Sequence, residues 1–121
     1  MNLLHTSIVL AVHDLETEAK FYADILGCEC TYDDGNWTFL TRDKFRVMLG
    51  RCPDALLASE TGDHSYVAYV TVDDVDDLHA EVVTRGGAAF APAPETKPWG
   101  MREFCLRSPE GHRIMFGQDV E

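Results

Sequence analysis

SIVLAVHDLETEAKFYADILG, residues 7–27, and VAYVTVDDVDDLHAEVVTRGG, residues 67–87, carry one pattern twice. In each, an aliphatic run ends in a valine, an aspartate follows two residues later, and an apolar stripe leads to a glycine. Val12 and Val72, Asp14 and Asp74, and Gly27 and Gly87 all stand 60 residues apart. A second echo follows in the same order: Arg46-Val47-Met48-Leu49-Gly50 returns 67 residues later as Arg113-Ile114-Met115-Phe116-Gly117. The wider spacing fits a longer loop in the second copy. An internal repeat of this size makes each copy one structural unit.

Both copies predict the same elements. Ser7–Val12 is long enough for a buried strand. Asp14 offers an N-cap oxygen, and Glu16 and Glu18 suit the positive end of a helix. Leu15, Ala19, Tyr22 and Leu26 share one helical face, and Gly27 supplies a left-handed stop. Three strands are expected at 28–33, 36–41 and 45–50, with Asp34-Gly35 as the hairpin turn. In the second copy Val67–Val72 is a strand, Asp74 a cap, and Val75, Leu78 and Val82 a helix face ended by Gly86-Gly87. Strands follow near 88–91, 101–107 and 112–117, with a turn at Ser108-Pro109-Glu110-Gly111. Pro92, Pro94 and Pro98 make 92–98 an extended loop.

The expected fold is therefore α+β: two tandem βαβββ modules forming curved mixed sheets, with the helices on the outer face. Residues 1–121 form a single domain, with module 1 at about 5–50, a linker at 51–64 and module 2 at about 65–118. The concave side of the paired modules is left for a ligand.

Ten Lys and Arg against 21 Asp and Glu give a net charge of −11. Such a field disfavours nucleic acid and anionic membranes and favours cationic partners. It also serves solubility alone, which requires no ligand. No apolar run reaches the ~20 residues of a membrane helix, and Met1-Asn2-Leu3-Leu4-His5 lacks the character of a secretory leader, so a cytoplasmic protein is expected. Cys28, Cys30, Cys52 and Cys105 show no CxxC spacing and are read as reduced thiols.

The run Val12-His13-Asp14-Leu15 through Phe21-Tyr22 to Leu26-Gly27 resembles the strand-to-helix segment of the vicinal oxygen chelate superfamily. That superfamily holds glyoxalase I, extradiol dioxygenases, methylmalonyl-CoA epimerase and antibiotic-binding resistance proteins. Pro98-Trp99-Gly100-Met101-Arg102-Glu103-Phe104, followed by Ser108-Pro109-Glu110-Gly111-His112, resembles its second-module signature, especially in bleomycin resistance proteins. The resemblance spans nearly the whole chain and implies the fold more than any reaction.

It also implies where a metal would sit, on the first and last strands of each module. Here those positions hold Ser7, Val67, Met48 and Met115. A hydroxyl, a valine and two thioethers are poor donors for a hard or borderline divalent ion. No metal and no cofactor are expected. His5, two residues before Ser7, becomes a ligand only if the register shifts. His13, His64, His79 and His112 fall in turns or on a helix and are read as solvated or locally hydrogen-bonded.

Strand alternation places Ser7, Val9, Met48, Val67, Tyr69, Thr71 and Met115 toward the cavity, with Val47, Leu49, Ile114 and Phe116 behind them. Trp37, Phe39 and Trp99 are candidates for its walls or rim. Methionines and aromatics suit a large, partly planar ligand, although Met48 and Met115 would equally fill a closed core. Arg46 and Arg113 share the inward parity and either grip an anion or pair with nearby acids. Arg102 and Glu103 are read as an ion pair.

The resulting expectation is a metal-independent, homodimeric protein that sequesters an antibiotic-like aromatic, cationic small molecule. Its ligand-binding residues would be Ser7, Trp37, Phe39, Met48, Tyr69, Trp99 and Met115, with no catalytic residue. The alternatives are a metal-dependent lyase, isomerase or dioxygenase using His5, and a sensing domain without turnover.

Overall fold

In residues Met1–Leu57 the elements run β1 (Ile8–Val12), α1 (Leu15–Asp24), β2 (Glu29–Asp33), β3 (Trp37–Arg42) and β4 (Phe45–Arg51). The sheet order is β1-β4-β3-β2: β1 lies parallel to β4 and the other neighbours are antiparallel. The computed structural model describes all 121 residues. Asp14 caps α1 by accepting from the Thr17 amide at 3.1 Å and from the Thr17 hydroxyl at 2.8 Å. Gly27 adopts φ 75°, and the following Cys28 amide donates to the Tyr22 carbonyl at 3.0 Å. Leu15, Phe21 and Tyr22 are buried on the helix, Leu26 just past its end, and Leu10, Val12, Leu40, Val47 and Leu49 on the strands. Alternation thus splits the sheet into a face covered by α1 and an open face.

Residues Ala58–Glu121 repeat the plan: β5 (Tyr66–Thr71), α2 (Val75–Thr84), β6 (Glu95–Thr96), β7 (Met101–Arg107) and β8 (Arg113–Asp119). The order is β5-β8-β7-β6, again with a parallel first pair. Asp74 caps α2 through the Asp77 amide at 3.0 Å. Gly86 turns left-handed at φ 95°, and the Gly87 amide closes onto the Val82 carbonyl at 2.8 Å. Val75, Val82, Phe104, Leu106, Ile114 and Phe116 form this unit's buried layer. Two helices and eight strands in two mixed sheets make the α+β fold of tandem βαβββ modules.

Two boundaries differ from expectation. The strand expected at 88–91 is a short 3-10 turn, Ala88–Phe90, and β6 lies instead within the predicted loop, at Glu95–Thr96. Alanines favour a strand weakly, whereas Glu95 and Thr96 sit between Pro94 and Pro98 on an edge, where proline is tolerated. The first hairpin turns one residue later than predicted. The Asp34 amide bonds the Trp37 carbonyl at 3.1 Å, so Gly35 (φ 85°) and Asn36 form the tip. Asp34 shapes that tip, its carboxylate accepting from the amides of Asn36 at 2.9 Å and Trp37 at 2.7 Å.

Candidate functional site

The open face of the first sheet is aromatic. Register pairs Val9 with Met48, Met48 with Phe39, and Phe39 with Tyr32, so these four side chains share one side. Tyr32 and Phe39 lie 5.0 Å apart between ring centroids, and Phe39 meets Trp37 edge-on at 6.3 Å. Tyr32 and Trp37 remain exposed and Met48 half-buried. Gly50, opposite Trp37, leaves room for the indole to lie across the strand. The hairpin carrying these rings is tied to the rest of the unit by Arg51. Its guanidinium donates to the Gly35 carbonyl at 2.9 and 3.1 Å and to Glu16 at 2.8 Å.

Tyr32 is the residue that sequence reasoning missed. The alternation that selects Trp37 and Phe39 selects it as well once β2 is paired across the hairpin. Its hydroxyl donates to Asp34 at 2.8 Å. That bond raises the Tyr32 phenol, while the amides of Asn36 and Trp37, with the Tyr32 hydroxyl, hold the Asp34 carboxyl below the usual range.

The second sheet's open face has different chemistry. Tyr69 pairs with Met115, Met115 with Cys105, and Gly117 with Glu103. The Tyr69 hydroxyl crosses Gly117 and donates to the buried Glu103 carboxylate at 2.7 Å. Burial of that hydroxyl, then its bond to Glu103 and the charge there, push the Tyr69 phenol up to about 12. Burial also raises the Cys105 thiol, against the pull of Arg113 and Arg107.

Ser7 is half-buried, one residue before β1, and His5 is exposed further upstream. Val67 lies where β5 shifts register between Tyr66 and Ala68, which breaks the parity used to place it. Trp99 stands in the turn between β6 and β7, 63% exposed. Met48 and Met115 are half-buried on the open faces and are not part of the buried layers.

The charged residues also need correction. Arg102 and Glu103 do not pair: Arg102 grips Asp76 at 2.9–3.1 Å, while Glu103 takes Tyr69 on the other face of the strand. Arg113 stacks 3.6 Å above the Tyr66 ring and bonds Ser65 at 2.6 Å and the Gly62 carbonyl at 2.8 Å. Its approach to Asp63 is only 3.9 Å, so this arginine chiefly holds the segment before β5. Arg46 is exposed opposite Thr41. His79 bonds the Ala91 carbonyl at 3.0 Å, and His13 bonds that of Ala55. His112 is buried rather than solvated, and its Nδ1 has no partner.

No three His, Cys, Asp or Glu side chains converge on one point. At the positions where the resemblance implies ligands stand the Ser7 hydroxyl, the Met48 and Met115 thioethers and Val67, which has no donor atom, a set that does not fit a hard divalent ion.

A family model described as Glyoxalase/Bleomycin resistance protein/Dioxygenase superfamily matches residues 3–116. The bleomycin resistance protein of Staphylococcus aureus is 22% identical over 131 aligned positions, covering 98% of this chain and 99% of its own length. Among solved structures, the bleomycin-binding protein of Streptomyces verticillus, complexed with copper(II)-bleomycin, superposes with a TM-score of 0.76. It shares 24% identity, with 96% of each chain covered. The bleomycin resistance determinant encoded on transposon Tn5 reaches a TM-score of 0.80 at 20% identity, covering 98% of this chain and 100% of its own. At these identities the structural likeness establishes the fold.

Proposed function

The chain belongs to the glyoxalase/bleomycin resistance protein/dioxygenase superfamily, and on that premise we propose that it binds and sequesters an antibiotic-like small molecule without transforming it. The observation that carries this reading is the Tyr32–Phe39–Trp37 cluster with Met48 beside it. Three rings left accessible on a rigid sheet form a surface for a flat aromatic ligand, and the thioether adapts to its outline. The relatives named for binding bleomycin or resisting it support the same assignment.

Metal independence is part of the proposal and rests on the donor chemistry of Ser7, Val67, Met48 and Met115. A net charge of −11 favours a cationic ligand and disfavours nucleic acid. The protein would act in the cytoplasm, where its four free thiols stay reduced. We assign it a homodimeric state, because Leu3 and Leu4 are almost wholly exposed and Val9 adds apolar surface on edge strand β1. Sedimentation at twice the 13.5 kDa chain mass is the expected result, and a monomer at micromolar concentration would refute that state.

The binding assay is tryptophan fluorescence titration with bleomycin and a panel of unrelated planar molecules. Saturable quenching by at least one member, reduced in Trp37→Ala and Phe39→Ala, is expected. Unchanged spectra across the panel would reject sequestration.

A further inference from the structure

We infer that Glu103 is the charge-reading residue of the second sheet's open face, its carboxylate receiving a protonated amine or amidinium group of a bound molecule. The chemistry at this position is unusual. Glu103 is 7% exposed, yet alternation aims it toward the open side of β7 with Met101 and Cys105, beside Met115 on β8. A carboxylate in such surroundings calls for strong compensation.

The compensation present is a neutral phenol, Tyr69 at 2.7 Å. No cation bonds this carboxylate: Arg102 bonds Asp76 at 2.9 Å, and Lys97, near enough to feel the Glu103 charge, places its ammonium on Glu95 at 2.8 Å. Across the ladder, Glu103 faces another acid, Glu95, on one side and a residue without a side chain, Gly117, on the other. The arrangement is built around that glycine. A β-carbon at 117 would lie 1.9 Å from the Tyr69 hydroxyl, so no other residue lets the phenol reach across.

The repeat sharpens the point. Gly50 and Gly117 occupy the same place in their last strands, and the residues opposite them are Trp37 and Glu103. Where the first module presents an indole, the second presents a carboxylate. One open face reads aromatic surface and the other reads positive charge. This deepens the sequestration reading and rests on it for the identity of the ligand class. The charge site itself can be tested separately.

Protein carrying 13C at the glutamate side-chain carboxyls is titrated with benzamidinium, the Glu103 signal being identified by its loss in Glu103→Gln. A saturable shift of that signal, with those of Glu95 and Glu110 unmoved, is expected. A stationary Glu103 signal, or an equal drift of all glutamates such as salt causes, overturns the assignment. A second arm compares 9-aminoacridine, protonated at neutral pH, with acridine, which is not. Glu103→Gln, which retains an acceptor for Tyr69, should weaken the cationic dye roughly tenfold and leave the neutral one unchanged, the size of one partly screened charge-assisted bond. Tyr69→Phe should keep the preference for the cation. Equal losses for both dyes in Glu103→Gln, or loss of the preference in Tyr69→Phe, would mark a structural pair and overturn the proposal. If wild-type protein takes neither dye, sequestration of flat aromatics fails, and the benzamidinium titration still decides Glu103.

Discussion

The Trp37 indole lies across Gly50 so closely that a β-carbon there would stand 2.8 Å from the far edge of the ring. Gly50 pairs with Trp37 and needs no left-handed backbone, so its function is to leave space. Gly50→Ala should therefore fold normally but displace the indole. In a Trp99→Phe background, where Trp37 is the single reporter, a red-shifted emission and weaker binding of planar ligands are expected. Unaltered emission would mean that the ring does not rest on this strand.

Tyr69 yields a prediction in alkali. Its phenol is raised from 10.0 to about 12, so the folded protein favours the protonated form. That contribution to stability is complete below pH 10 and is lost as the pH rises through about 12. In a spectrophotometric titration one of the four tyrosines should ionise near the upper value. Gly117→Ala, which evicts the hydroxyl, should return it toward the ordinary range. Tyr32, raised by its bond to Asp34, is removed from the spectrum with Tyr32→Phe.

The repeat made the fold readable because helix caps, glycine stops and strand alternation are local signals. Asp14, Asp74, Gly27 and the buried Val47, Leu49, Ile114 and Phe116 all stand as their spacing requires. The site was less readable, because it depends on register. Moving the hairpin tip to Gly35-Asn36 sets Tyr32 against Phe39, and the irregularity at Val67 breaks simple alternation on β5. The Tyr69–Glu103 bond joins residues 34 positions apart through a gap left by a third, Gly117. No motif records such a three-strand relation. Trp99 shows the converse, a conspicuous residue within a family-like run that the structure leaves on an exposed turn.

His112 predicts sensitivity to mild acid. It is buried, its Nδ1 lacks a partner, and burial lowers its pKa from 6.5 against the opposing pull of Glu110. The folded state therefore favours neutral imidazole. Its contribution is present above 6.5 and fades as the pH falls below that value and the unfolded chain takes up the proton. The urea midpoint should drop between about pH 7 and pH 5, before the carboxylates protonate. His112→Asn should flatten this limb, and an unchanged slope would assign the acid response to other groups.

Met48 and Leu49 are neighbours on β4 with opposite faces, and this separates binding from stability. Leu49 is fully buried against α1's side of the sheet, whereas Met48 is half-buried on the open side opposite Phe39. Leu49→Ala removes packed atoms and leaves a cavity, so a loss of about 2–5 kcal/mol is expected in urea unfolding. Met48→Ala leaves the buried layer intact and should cost well under half as much, while planar-ligand affinity falls several-fold as the thioether contact is lost. Unfolding and fluorescence titrations on the two variants provide the comparison. If Met48→Ala destabilised the protein as much as Leu49→Ala and left binding untouched, Met48 would be core, and the aromatic face would lose its floor.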